Sequence, residues 1–99
     1  MADMPVETRL WDAAEHLKTD EDIAAYLNAA LEDDDPALVV AALGDIARAR
    51  GMTQLAREAG VGRESLYKAL SATGNPEFAT VLKVLRVLGL RLQVQPLQP

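Results

Sequence analysis

Apolar residues recur at helical spacing in five segments of the chain, which glycine, proline or acidic residues separate. Spacing of i, i+3, i+4 and i+7 places them on one face of a helix, where they can pack on a core. The pattern predicts helices over 20–31, 36–50, 53–59, 63–71 and 76–88. The predicted core residues are Ile23, Leu27, Ala30, Leu31, Leu38, Val39, Ala42, Leu43, Ile46, Ala47, Leu55, Ala56, Ala59, Val61, Leu66, Ala69, Leu70, Phe78, Val81, Leu82, Leu85 and Leu88.

Residues with known terminal preferences stand at the ends of these segments. Thr19 followed three residues later by Asp22 predicts a capping box at the first helix. Asp35 before Pro36 predicts a capped start of the second, since proline is tolerated at the first helical position. Gly51 is expected to close that helix in the left-handed conformation. Asn75-Pro76 predicts a start for the fifth helix in the same way as Asp35-Pro36.

Residues 90–95, LRLQVQ, alternate strictly between apolar and polar, and Pro96 follows. A period of two is typical of a β-strand, and a lone strand needs a partner for its backbone groups. The same strand of a second subunit, the N-terminal arm or another protein could provide it, and pairing across a dimer is the simplest solution. The predicted dimer interface comprises Val84, Val87, Leu90, Leu92 and Val94.

Residues 52–70, MTQLAREAGVGRESLYKAL, have the form of a helix-turn-helix, with a short amphipathic helix on each side of Gly60. Such a unit presents its second helix to the DNA major groove. A plain helical hairpin within an all-α domain is the alternative. Gly62 departs from the usual pattern, because serine or threonine is common at that cap position.

Composition bounds the remaining possibilities. The 99 residues fit one domain, and no apolar run approaches the length of a membrane span. The start of the chain lacks the features of a secretory signal, so we expect a cytoplasmic protein. The net charge of −5 is unevenly distributed between the two halves of the chain. Residues 1–51 hold four basic and twelve acidic residues, whereas residues 52–99 hold six basic and three acidic.

The chain offers little for catalysis or metal binding. It has no cysteine, and His16 is its only histidine, in an acidic stretch. The acidic run 32–35, EDDD, lacks cation-ligand spacing and is expected to be a solvated loop. We therefore expect no enzyme activity, no cofactor and no metal site.

Three blocks of the chain, LWDAAEHLKTDEDIAAYLNAALE, DPALVVAALGDIARARGMTQLAREAGVGRESLYKALS and GNPEFATVLKVLRVLGLRL, resemble the addiction-module antidote proteins. These are HigA-like antitoxins of bacterial type II toxin–antitoxin systems, and the resemblance covers roughly residues 8–95. It implies a basic RelE/HigB-like toxin, an mRNA interferase, as partner. It also implies a homodimer that binds double-stranded operator DNA and represses its own operon. A stand-alone transcriptional regulator without a toxin is the alternative.

The resemblance and the motif together assign roles to particular residues. DNA-reading candidates are Arg63, Glu64, Ser65 and Lys68, and phosphate-binding candidates are Thr53, Gln54 and Tyr67. The toxin-binding candidates are Trp11 and Tyr26. The expected architecture is an arm over 1–18 and an all-α, lambda-repressor-like domain of five helices over 19–95, which includes the helix-turn-helix and the C-terminal strand.

Overall fold

The computed structural model describes residues 16–98, which contain five complete helices. Their bounds are α1 Asp20–Leu31, α2 Pro36–Arg50, α3 Met52–Ala59, α4 Arg63–Ala69 and α5 Phe78–Val87. The predicted all-α core is confirmed. Residues 1–15, most of the predicted arm, lie outside the described residues. Leu17, which was placed in that arm, is buried with the core.

Helices α1 and α2 pack against each other as an antiparallel hairpin with capped starts. The backbone N–H of Asp22 donates to Thr19 Oγ1 over 3.0 Å, and Thr19 N–H donates back to the Asp22 carboxylate over 3.2 Å. This is the predicted capping box. Asp35 caps α2 by accepting from the backbone N–H of Ala37 over 3.0 Å. Satisfying these exposed donors stabilises each helix start by about 1 kcal/mol.

Helix α3 lies at the centre of the fold and contacts α2, α4 and α5. Its Leu55 is 1% exposed and packs in a single apolar core to which all five helices contribute. Gly51, between α2 and α3, has φ 107° and ψ 104°. The prediction that Gly51 closes α2 is confirmed, since its φ is positive and its backbone N–H donates to the Ala47 carbonyl over 2.9 Å. Its ψ lies outside the left-handed helical range, and α3 begins at the next residue.

The predicted start and facing of α5 need correction. The helix begins at Phe78 with Glu77 as its cap residue, two positions after Pro76. The buried stripe of α5 includes Val84 and Leu85, whereas Phe78 is 66% exposed and Leu82 43% exposed. Apolar residues occupy so much of this helix that the pattern allows two stripes, and packing on α3 selects the other one.

The predicted C-terminal strand is absent from the described residues. The backbone N–H of Leu90 donates to the Leu85 carbonyl over 2.9 Å and closes the end of α5. The segment that follows, 91–98, has no regular secondary structure, and Val94 is 99% exposed. Alternation describes only the side chains, while a strand requires a second backbone for its hydrogen bonds, and no described segment provides one.

Candidate nucleic-acid interface

The turn between α3 and α4 is short and is formed at Gly60. Gly60 adopts the left-handed conformation, φ 74° and ψ 31°, which a residue with a Cβ atom rarely enters. The backbone N–H of Val61 donates to the Ala56 carbonyl over 3.0 Å, so the chain folds back on the end of α3. This turn redirects the chain within three residues and fixes the start of α4.

The inner faces of α3 and α4 are aliphatic and small, as predicted. Leu55, Ala56 and Leu66 are buried, and Val61 is half-buried where the turn meets the two helices. A small residue such as Ala56 lets the two short helices approach closely. Neither helix could be stable alone at this length, so their packing on the core holds the unit together.

The far end of α4 is held against α2. A Cβ atom added to Gly44 of α2 would meet the carbonyl oxygen of Leu70 at 2.5 Å, which is too close for any atom pair of this kind. Gly44 is itself buried. The absence of its side chain therefore lets the backbone that ends α4 rest directly on α2, and α4 is fixed at both ends.

The predicted DNA-binding side chains all lie on the exposed surface of this unit. They are Thr53, Gln54, Arg63, Glu64, Ser65, Tyr67 and Lys68. The Arg63 Nε donates to Thr53 Oγ1 over 2.8 Å, which joins the start of α4 to the start of α3. Because arginine has five N–H donors, this bond orients the guanidinium and uses only one of them.

Two further polar residues of α3 belong to the same exposed surface. Gln54 Nε2 donates to Glu58 Oε2 over 3.1 Å along one side of the helix. Arg57 is also exposed, in the last turn of α3. It was not among the predicted residues, although its outward position follows from the inward positions of Leu55 and Ala56. It adds a third cation, with Arg63 and Lys68, to the α3–α4 unit.

The start of α4, like that of α3, has no side-chain cap. Gly62 has φ −68° and ψ 140°, the usual backbone conformation of a cap residue, but provides no side chain to accept from the first turn. The predicted departure at this position is confirmed. A serine there could reach the first-turn N–H groups, and the gain over glycine would be only a few tenths of a kcal/mol.

Of the two candidate toxin-binding residues, the structure describes only Tyr26. Trp11 lies outside the described residues. Tyr26 is half-buried between α1 and α2, and its hydroxyl donates to Asp45 Oδ2 over 2.6 Å. Burial first, and then this bond to a carboxylate, raise the pKa of Tyr26 to about 12, while the Arg48 charge opposes the rise. The polar end of Tyr26 therefore joins α1 to α2.

The predicted dimer-interface residues differ in their exposure. Val84 is 0% exposed within this chain's own core, so its assignment to an interface is wrong. Val87 and Leu90 are half-buried, and Leu92 and Val94 are exposed. Among these four, Val94 is almost fully exposed and Leu92 is 40% exposed.

No group of three or more potential ligands is arranged to hold a metal ion within residues 16–98. In the same part of the chain, no helix is long and apolar enough to cross a bilayer.

Comparisons with known proteins identify the family of the chain. The model of the family described as "Probable addiction module antidote protein" matches residues 7–96. An uncharacterized protein of Haemophilus influenzae is 56% identical over 92 residues, which cover 93% of this chain and 95% of that protein. No solved structure matches the chain significantly.

Proposed function

The chain belongs to the family of probable addiction module antidote proteins, and we propose that it neutralises a toxin and represses its own operon. The proposed toxin is a small basic mRNA interferase of the RelE/HigB-like type. Binding of the toxin would be the antidote function itself. Binding of operator DNA through α3 and α4 would regulate the synthesis of both proteins.

The exposed polar surface of α3 and α4 carries the DNA-binding part of the proposal. Arg63 and Lys68 lie at the start and near the end of α4, where the second helix of such a unit meets base edges and phosphates. Glu64 and Ser65 complete the set that would read bases. Their exposure leaves each of them able to reach a partner without any rearrangement of the core.

Residues Thr53, Gln54 and Tyr67 would contact phosphates beside that surface. Thr53 and Gln54 are polar side chains at the start of α3, where such contacts are common and set the register of the protein on the duplex, and Tyr67 would add its exposed hydroxyl from α4. The Arg63–Thr53 hydrogen bond would keep the arginine near its site before DNA arrives. Less side-chain entropy would then be lost on binding.

We further propose that the chain acts as a homodimer. A two-fold axis would place two copies of α4 in successive major grooves, which is how helix-turn-helix proteins read symmetric sites. Val87, Leu90, Leu92 and Val94 are the candidate contacts. They would contribute by side-chain packing, since the described residues form no strand there.

The division of charge supports two different partners. The half that contains α3, α4 and α5 carries a net positive charge, and the half before it is strongly acidic. A basic half favours polyanionic DNA, and an acidic half favours a basic protein. Both associations should therefore weaken as the salt concentration rises.

The DNA-binding proposal is tested by comparing two charge-matched double variants. R63A/K68A removes two cations from α4, and K83A/R86A removes two exposed cations from α5. Binding to the DNA directly upstream of the chain's own reading frame is measured by fluorescence anisotropy at fixed salt. We expect specific binding to be lost in R63A/K68A and to fall only a few-fold in K83A/R86A.

Equal losses in both variants would reduce the interaction to non-specific charge attraction and contradict the assignment of α4. The toxin part is tested separately by co-purification with the protein encoded by the adjacent reading frame. A chain that binds its upstream DNA but no such neighbour would favour a stand-alone regulator.

A further inference from the structure

An apolar cleft opens on the side of the molecule formed by α1, α2 and α5. It has a volume of about 310 Å³ and is lined by residues such as Leu27, Leu31, Val39, Val40 and Phe78. With the exception of Asn75, every residue of its wall is apolar. Its size is at the lower end of the range for ligand pockets, enough for a few side-chain anchors.

The side chains at the mouth of this cleft are unusually exposed for their chemistry. Phe78 is 66% exposed, and Leu31 is 41% exposed at the end of α1. Single exposed apolar residues are common, but neighbouring ones at the rim of an apolar cleft mark an interaction site. The cleft is therefore shaped to receive apolar side chains from another molecule.

The acidic loop 32–35, named the acidic rim, connects two residues of the cleft wall. Leu31 and Pro36 both line the cleft, and the residues between them, 32–35, are all acidic and exposed. Asp35 is engaged as the cap of α2. Within the described part of the chain, ion pairs involve Asp20 and Asp45, so the charges of Glu32, Asp33 and Asp34 are not neutralised there.

We propose that this cleft and its rim are the toxin-binding surface, and that the occupant is a cationic amphipathic segment of the basic toxin. The inference rests on the proposed antidote function. Apolar side chains of the segment would fill the cleft, and its lysine or arginine residues would meet the acidic rim. Helix-in-groove recognition uses anchors spaced in this way, and charge complementarity selects a basic partner over an acidic one.

The surface is separate from the candidate nucleic-acid interface. No residue of α3 or α4 lines the cleft. The toxin could therefore bind while α4 stays available for DNA, and a complex of toxin, antidote and operator follows as the expected assembly.

The test uses the full chain and the protein encoded by the adjacent reading frame as the probe. The variant L31A/F78A removes two rim side chains that are already exposed, so its unfolding midpoint should change little. L82A is the matched control, since Leu82 is a 43% exposed apolar residue of α5 that does not line the cleft. We expect L31A/F78A to weaken binding by about 30-fold or more, and L82A by less than about threefold.

The rim is tested by charge neutralisation. E32Q/D33N/D34N should slow association by about tenfold at low salt and reduce its salt dependence. The control E21Q/E58Q/E64Q removes the same charge from exposed positions that do not adjoin the cleft and should have a much smaller effect.

Several outcomes would overturn the inference, and they differ from failure of the proposed function. Binding that L31A/F78A leaves unchanged would place the toxin elsewhere while the antidote function stands. Dissociation of a dimer by L31A/F78A, with toxin affinity unchanged, would assign the cleft to a second copy. A large fall in the unfolding midpoint, specific to that variant, would assign it to a segment of the chain itself. A wild-type chain that binds no neighbouring protein would contradict both proposals.

Discussion

The α3–α4 unit and the region formed by α5 and the tail at 91–98 are built from similar apolar residues but differ in how far these are used. In the first region the large aliphatic side chains Leu55, Leu66 and Leu70 are buried, and Gly60 forms the sharp turn. In the second, Phe78, Leu82, Leu92, Val94 and Leu97 remain exposed. The difference indicates that the first region is complete within one chain, whereas the second retains apolar surface for a partner.

The largest expected effect comes from the centre of the complete region. Leu55→Ala would leave a cavity where α3 meets α2, α4 and α5, and should lower the free energy of unfolding by about 2–5 kcal/mol. Leu82→Ala in the other region removes the same atoms from an exposed position and should cost less than about 1 kcal/mol. Urea denaturation of both variants measures the difference. Similar losses would remove the distinction between the two regions.

The next effect concerns the backbone contact between α2 and the end of α4. Gly44→Ala forces a methyl group onto the Leu70 carbonyl and should cost about 1–3 kcal/mol, together with some operator affinity. Gly62→Ala is the comparison: a Cβ atom there meets nothing closer than the Ser65 hydroxyl at 3.6 Å, so only the poorer helix cap should cost stability, by less than about 1 kcal/mol. If Gly44→Ala were neutral, α4 would not be held in the way described.

Tyr26 and Asp45 lie outside both regions, and their hydrogen bond should make the free energy of unfolding depend on pH. The raised pKa of Tyr26 belongs to the folded state, so its contribution to stability is present in full below pH 10 and is lost as the pH rises through about 12. Tyr26→Phe removes the hydroxyl bonded to Asp45 and should cost about 1 kcal/mol near neutral pH. The difference between wild type and variant should shrink between pH 10 and 12. A constant difference would show that the hydroxyl does not titrate in this way.

The smallest effect is expected from the tail. Ending the chain after Gln93 removes Val94 and Leu97, which are almost fully exposed, and should change the unfolding free energy by less than about 0.5 kcal/mol. Thermal unfolding of the shortened chain at low concentration tests this. A larger loss would mean that the tail packs on its own subunit.

The sequence predicts the starts of α1 and α2 and the turn after α3 well because these boundaries depend on local chemistry. Thr19 with Asp22, Asp35 with Pro36, and Gly60 each act within a few residues, so short-range rules are sufficient. The exposed positions of the DNA-binding candidates follow from the same periodicity. The division of charge between the two halves and the acidic run 32–35 can also be identified from the sequence. The cleft beside that run cannot.

The buried face of α5, the fate of residues 90–95 and the cleft depend on tertiary packing, which the pattern of apolar residues does not determine. On α5 the surplus of apolar residues allows two faces, and contact with α3 decided for Val84 over Phe78. For residues 90–95 the alternation is genuine, but whether it becomes a strand depends on a second backbone. The cleft lies between the α1–α2 hairpin and α5, which follows it in the chain only after α3 and α4, so no local motif predicts the cleft.

The central claim is that two separate surfaces serve two partners, and a cross-comparison of two variants tests it most directly. R63A/K68A and L31A/F78A are each measured against the upstream DNA and against the protein encoded by the adjacent reading frame, at one salt concentration. The account predicts that the first variant loses DNA and keeps the toxin, while the second loses the toxin and keeps DNA. Folded variants that lose both partners together, or lose neither, would contradict it.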